Sequence, residues 1–438
     1  MNTREVFGRE LVPVVTAAEA AAHDRYAHQE CNIPERLLME NAARSLALIT
    51  HKLYPTGTVA GVIGKGNNGG DVRMALDVLE GWGRSIMRVT EPADLRNAGV
   101  ILDGVLGTGS SGAPRDKAAE LIRCITGAQR PVIAADLPSG VDATTGAVHE
   151  PAINAIATVT FGFPKTGLLR HPARANCGRL LCVEIGFPPL PENRIKSRLI
   201  TSEFARKRLP QRRPTAHKGD SGRLLMLVGS YGMAGAAVIS GQAAVHAGAG
   251  LVRLASTADN RELLQTAVAE ATFYDRRGTI DTNGITAMVA GCGIGTDDAA
   301  QSALVQQLEA TRGIPTVLDA DALNILAQDI DRLHALARER PLVITPHPRE
   351  MSRLTNTDIS QITAQPEQAA QAFADASGAV VLLKGQPSIV AAPSQALLIN
   401  SVGSSDFAVA GMGDQLSGVI GAMLAAGLSP RDAAAVGL

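Results

Sequence analysis

Apolar residues in this chain fall in short unbroken runs that end on glycine or on a carboxylate. In the first half these runs are Val59-Ala-Gly-Val-Ile-Gly64, Val100-Ile-Leu-Asp103, Pro131-Val-Ile-Ala-Ala-Asp136 and Ala157-Thr-Val-Thr-Phe161, with another strand expected over 85–89. Runs without alternation suit strands buried on both faces. Helical patterns lie between them: an Ala-rich stretch over 17–27, a second helix opened by Pro34, a third reaching about Glu80, and a fourth over 116–127. Residues 11–50 read as helical throughout. The second half repeats the scheme, with strands expected over 222–229, 248–255, 287–295, 316–319, 342–345 and 380–383, and a long Ala-rich helix ending near His246. Strand alternating with helix predicts an α/β fold, a doubly wound parallel sheet in the first half and a second α/β sheet in the other.

Residues 188–222 break the rhythm. Pro188-Pro-Leu-Pro191, Arg206-Lys-Arg208 and Arg212-Arg-Pro214 crowd breakers and basic residues together, and the connection between two domains is placed there. The boundary is expected at 205/206. The length of 438 residues accommodates two or three domains of ordinary size. A net charge of −1 gives no long-range attraction to nucleic acid or anionic membrane. Aromatics are only 3%, so the cores must be built from Ala, Val, Leu and Ile. Five scattered cysteines form no CxxC or zinc pattern, which implies reduced thiols and a cytoplasmic address. The polar start of the chain is unlike a signal peptide, and no apolar run is long enough to span a membrane.

The candidate chemistry sits at strand ends and at one helix start. In α/β sheets ligands bind beyond the carboxyl ends of the strands. Four loops fall there: 67–71, 103–113, 136–139 and 161–167. Asn67, Asn68, Asp103 and Ser139 offer oxygen ligands with no His or Cys among them, a set suited to a hard cation. Near the end of the chain Gly411-Met-Gly-Asp414 precedes an apolar helical run. Free N–H groups at such a start favour phosphate or a developing oxyanion. Asp414 there is either a helix cap or a base that takes the proton of a hydroxyl attacking phosphorus. His347, between two prolines, is either a core histidine or a ligand contact. Lys165 either assists the strand-end carboxylate Asp136 or is a surface lysine.

Together these pieces resemble the bifunctional NAD(P)H-hydrate repair enzymes, in which an NAD(P)HX epimerase is fused to an ADP/ATP-dependent NAD(P)HX dehydratase. The resemblance runs through 66–71, 103–109, 136–142, 161–167, 217–220, 229–237, 248–252, 291–295, 319–324, 345–351, 383–385 and 411–414. It implies a Rossmann-like epimerase domain over 1–205 and a ribokinase-like dehydratase domain over 206–438. It implies epimerisation of the R and S hydrates of NADH and NADPH at C6, then phosphorylation of the C6 hydroxyl of the S form and elimination of phosphate.

By the same resemblance, Asn67, Asn68, Gly69, Gly70 and Asp71 contact the hydrate in the first domain. So do Gly107, Thr108, Gly109, Ser110, Ser111, Gly112 and Ala113. Asp136 contacts it as well, and its place at the end of a buried strand makes it the expected central acid/base. Potassium is held by Asn68, Asp103 and Ser139. In the second domain Ala236, Gly293, His347 and Asp414 contact the hydrate, with Asp414 the base. Lys384, Gly385, Gln386, Pro387, Ser388 and Gly413 hold the nucleotide. The resemblance implies ADP with Mg2+ and an AMP product. The partners expected are these small molecules, with no nucleic acid, no membrane and a homo-oligomeric assembly.

The chain departs from the family pattern in places. A glycine of the family is Val72 here, and valine disfavours positive φ, so an altered turn is expected. A threonine of the family is Met412. The segment Asn400-Ser-Val-Gly-Ser-Ser405 matches only loosely. Family members continue past the position of Leu438, which implies a truncation. Two other readings stand beside this one: a small-molecule kinase of the ribokinase-like class, and a non-catalytic sensor of nucleotide or metabolite.

Overall fold

A computed structural model describes residues 10–211, 213–215, 217–403 and 409–438. The chain divides into two compact units, parted between Glu203 and Phe204. The division falls inside the helix Ser202–Arg208, and the strand Ser197–Ile200 lies just before it. The Pro- and Arg-rich stretch is therefore partly structured. Phe204 is buried and the Arg208 guanidinium stacks 3.9 Å above its ring, so the basic cluster is anchored by an aromatic. Arg212 lies outside the described residues.

The strands of the first unit are β1 (Leu11–Val14), β2 (Val59–Ile63), β3 (Ile86–Val89), β4 (Val100–Gly104), β5 (Val132–Ala135), β6 (Ala157–Phe161), β7 (Arg179–Val183) and β8 (Ser197–Ile200). Six form a sheet in the order β3-β2-β4-β5-β6-β7, every pair parallel. Successive residues serve opposite faces. Val59 and Ile63 of β2 pack with Leu46, Leu76 and Leu79 of the helices Glu35–Leu53 and Asn67–Gly81. Ala60 and Val62 pack with Leu121, Ile122 and Ile125 of the helix Asp116–Gly127. That two-sided burial is why the runs are unbroken.

Two expectations fail here. Residues 11–14 are not helical: they form β1, paired antiparallel with β8, and the first helix begins at Ala17 behind a Thr16–Glu19 capping box. Val72 is not in a turn. It lies within the helix Asn67–Gly81, fully buried against β2 and β4, where a Cβ on Gly61 or Gly104 would meet its methyls at 2.8 and 2.6 Å. The valine therefore fills core space, and no positive φ is asked of it. The sole tryptophan, Trp82, ends this helix, with its ring edge-on to His51 at 5.9 Å.

The second unit has β9 (Arg223–Leu227), β10 (Leu251–Ser256), β11 (Thr272–Asp275), β12 (Ala287–Ala290), β13 (Thr316–Leu318), β14 (Leu342–Ile344), β15 (Val380–Leu383), β16 (Ser388–Ala391) and β17 (Leu397–Asn400). Their order is β17-β16-β15-β14-β13-β12-β9-β10-β11. From β15 to β11 every pair is parallel, whereas β16 pairs antiparallel with both β15 and β17. One face carries Leu225, Met288, Leu318, Ile344 and Val381 under several helices. The other face is covered by the apolar helix Met412–Ala425, where a Cβ on Gly421 would strike Val289 at 2.3 Å. Ile420, Met423 and Leu424 of that helix are buried, each contributing roughly 1.5–3 kcal/mol relative to exposure. The same helix closes on the helix Ala234–His246, because Gly418 lets the backbone of Ser240 approach: an added Cβ would lie 2.2 Å from its carbonyl oxygen.

Candidate functional site

In the first unit the carboxyl ends of β2, β4, β5 and β6 converge on a cavity of about 240 Å³. Asn67, Asn68, Asp71, Thr108, Asp136 and Lys165 line it. Asp136 ends β5 with φ +63, and its Oδ1 accepts from Thr160 Oγ1 and from the N–H of Phe161, each at 3.0 Å. The Lys165 ammonium donates to the same oxygen and also to Thr160 Oγ1. Lys165 is 3% exposed, so it is a buried partner of Asp136 and not a surface lysine. Asp136 caps no turn through these bonds.

Asp71 stands across the cavity within the helix Asn67–Gly81, 5% exposed. Burial, and after it the negative charge of Asp136, push its carboxyl up to about 8. Asp24 of the N-terminal helix Ala17–Gln29 is also raised, chiefly by burial. Behind the cavity, Asp103 is wholly buried: it accepts from Ser139 Oγ at 2.7 Å, from the Ser139 N–H at 2.8 Å and from the Val105 N–H at 3.2 Å. Burial raises this carboxyl too. Asn68 donates to the carbonyls of Leu106 and Ala135 at 2.9 and 2.7 Å, which ties the start of its helix to the ends of β4 and β5.

In the second unit the helix Met412–Ala425 starts behind Gly411, whose φ of +89 suits glycine. Gly411 has no side chain to cap this start, and Asp414 lies inside the helix, past the N-cap position. Among the described residues nothing accepts from the N–H of Gly413 or Asp414. Burial, and then the nearby Asp319 carboxylate, raise the Asp414 carboxyl. The buried Cys292 thiol is pushed well up, first by burial and then by the nearby Asp319 and Asp414 carboxylates. Lys384, at the end of β15, donates to Asp319 Oδ1 at 2.7 Å and lies 3.8 Å from Glu350. Burial works against its charge, but the two carboxylates outweigh it and the net shift is upward.

His347 is neither a core residue nor a bare loop contact. It caps the helix Pro348–Thr355, its Nδ1 accepting from the N–H groups of Arg349 and Glu350 at 3.1 Å. Burial, with help from Lys384, lowers its basicity. Its Nε2 lies 3.3 Å from Glu350, and the side chain is half-exposed. Ala236 and Gly293 are neighbours: a Cβ on Gly293 would lie 2.9 Å from that of Ala236.

Models of two families match the chain: YjeF-related protein N-terminus over 71–167, and NAD(P)H-hydrate dehydratase over 224–438. A bifunctional NAD(P)H-hydrate repair enzyme of Moorella thermoacetica is 34% identical across 97% of this chain and 90% of its own length. The chain belongs to the family of bifunctional NAD(P)H-hydrate repair enzymes. The Escherichia coli member is 35% identical over 91% of this chain and 82% of its own. A solved structure, the ADP/ATP-dependent NAD(P)H-hydrate dehydratase of Bacillus subtilis co-crystallized with ATP/Mg2+, is 28% identical; it covers 54% of this chain and 84% of its own, with a TM-score of 0.48.

Within this family frame the expected residues divide. The structure gathers Asn67, Asn68, Asp71, Thr108 and Asp136 at the first cavity, while Ser111, Gly112 and Ala113 are exposed and do not line it. Gly385 and Gln386 are exposed in the turn between β15 and β16, with Ser388 Oγ bonded to the Gly385 carbonyl at 3.0 Å. Ser404 and Ser405 of the loosely matching segment lie outside the described residues, and Asn400 is tied to the Leu438 carbonyl at 3.3 Å. Sequence reasoning missed Asp24 and His28, which line the cavity from one helix face at a spacing of four, a signal present in the pattern. It also missed Phe163 and Phe187, stacked parallel at 5.8 Å on the cavity wall. Aromatics are scarce enough in this chain for such a pair to stand out.

Among the described residues no helix is long and apolar enough to cross a membrane.

Proposed function

We propose that the first unit, within 1–205, interconverts the R and S hydrates of NADH and NADPH, and that the second, within 206–438, dehydrates the S form with ADP. The observation that carries the reading is Asp414: a partly buried carboxylate in the first turn of a helix that starts on Gly411, beside two N–H groups with no acceptor among the described residues and near the Lys384 ammonium. A proton acceptor and an anion hole in one place suit phosphoryl transfer to a hydroxyl.

In this reading Asp414 takes the proton of the C6 hydroxyl as its oxygen bonds to the terminal phosphorus of ADP. The bond from that phosphorus to the bridging oxygen breaks and AMP leaves. Phosphate, a better leaving group than hydroxide, then departs from C6 as a proton leaves C5, restoring the double bond of NAD(P)H. The free N–H groups of Gly413 and Asp414 receive the phosphoryl oxygens. Lys384 to Ser388 border the nucleotide, and Ala236, Gly293 and His347 border the hydrate. Mg2+ would enter with the nucleotide, whose phosphates supply oxygen ligands and whose charge it offsets.

In the first unit the Asp136–Lys165 pair would supply a proton to the C6 hydroxyl as water leaves, and recover one as water returns on the other face. Asn68, Asp103 and Ser139 would hold potassium. Their donor set is oxygen, and the buried Asp103 carboxylate has no lysine or arginine partner among the described residues. A cation there would offset that charge and fix the loops. The test is incubation with hydrated NADH and ADP while NADH absorbance is followed. Restored NADH with AMP and phosphate supports the reading; a stable phosphorylated product would mark a kinase instead.

A further inference from the structure

Asp319 belongs to no expected contact set, yet it is the most enclosed charge beside Asp414. It ends β13, and its side chain is 2% exposed. It stands at the N-cap position of the helix Ala320–Leu326 without capping it. Both carboxylate oxygens are committed elsewhere. Oδ1 accepts from Lys384 Nζ at 2.7 Å, and Oδ2 from Ser417 Oγ at 2.8 Å. Ser417 is fully buried, three residues beyond Asp414 on the same helix. Asp319 therefore joins three pieces: the end of β13, the end of β15 and the first turns of the helix that carries Asp414.

The ammonium it holds is pressed close to that helix start. A Cβ on Gly413 would lie 3.5 Å from Lys384 Nζ and 3.7 Å from Asp319 Oδ2. We infer that Asp319 is a positioning residue of the dehydratase site: it clamps the Lys384 ammonium beneath the anion hole and, through Ser417, fixes Asp414 on its helix. This rests on the proposed function of the second unit. The clamp also sets the field on Asp414. The groups that face Asp414 are Asp319, Asp321, Lys384 and Cys292; the two carboxylates raise it and Lys384 lowers it. The two halves of one ion pair thus push the base in opposite directions.

The full-length protein, with hydrated NADH and ADP, tests this. Wild-type turnover comes first: no restored NADH would sink the functional reading itself, independently of the clamp. Given an active wild type, Asp319→Asn should lower kcat about a hundredfold, the scale of a misplaced reacting group, with the KM for hydrate little changed. The acidic limb of its kcat profile should move to lower pH by about one unit, because a like charge near the base is gone. Lys384→Met should move the limb upward. A pair that serves only folding would lower active protein without moving either limb. If Asp319→Asn folds poorly, Asp319→Asn with Lys384→Met removes both charges together. That protein should fold and still turn over slowly. Full turnover in the folded double variant, or limbs that stay put in both single variants, would overturn the inference.

Discussion

Asp414→Asn should cut dehydration at least 100-fold while nucleotide still binds, since the amide keeps the shape but takes no proton. Calorimetric ADP binding beside the turnover assay checks both halves, and near-normal turnover would remove Asp414 from the chemistry. Asp136→Asn and Asp136→Ala should each slow R-to-S conversion by a similar factor, read as loss of the R form in the Asp414→Asn background after subtracting spontaneous epimerisation. Asp71 offers a separate measurement. An unfolded aspartate loses its proton near about pH 4, whereas in the fold Asp71 keeps it to about 8. Between those values the native state binds more protons, so the group costs stability progressively as pH rises and levels off above its folded pKa. Asp71→Asn should therefore melt higher than wild type at about pH 9 and lose that advantage towards about pH 4, in potassium-free buffer. An equal Tm difference at both ends would mean the carboxyl titrates normally.

The helix Met412–Ala425 works as an element because it lies against the helix Ala234–His246 without side chains between the backbones at Gly418. Gly418→Ala should push the two apart, cost about 1–3 kcal/mol as overpacking does, and lower turnover through the displaced Asp414; denaturant unfolding and the NADH assay read the two effects. Such elements were legible to different degrees. Strands with both faces buried announce themselves as unbroken apolar runs, and the carboxylates at their ends were found because β4, β5 and β13 end on them. The strand β1 was hidden beside an Ala-rich helix, and its partner β8 lies in a stretch dominated by prolines and arginines. The hairpin-like β16 and β17 follow Lys384 directly, with no composition change to mark a reversal of direction. Lys165 stayed undecided and Val72 was misjudged for one reason: burial depends on what the rest of the chain places above a residue. Asp319 was visible as a strand-end carboxylate, but only the fold shows that Lys384 and Ser417 occupy both its oxygens.

Each unit has a large hydrophobic core cluster built from its own residues alone. Fragments 1–203 and 204–438, cut where the compact units part, should therefore each fold alone, each showing a cooperative thermal transition by circular dichroism. A first fragment that is unfolded where the whole chain is folded would disprove that boundary. The single indole gives this question an optical handle. Trp82 closes the helix that Asn67 and Asn68 begin, and the second unit contains no tryptophan. Emission excited selectively from that ring reports the first unit alone, even in the intact protein. Its wavelength and intensity can be followed in denaturant beside the far-ultraviolet signal, which sums both units. A gap between the two curves would be a direct reading of separate melting, obtained without cutting the chain.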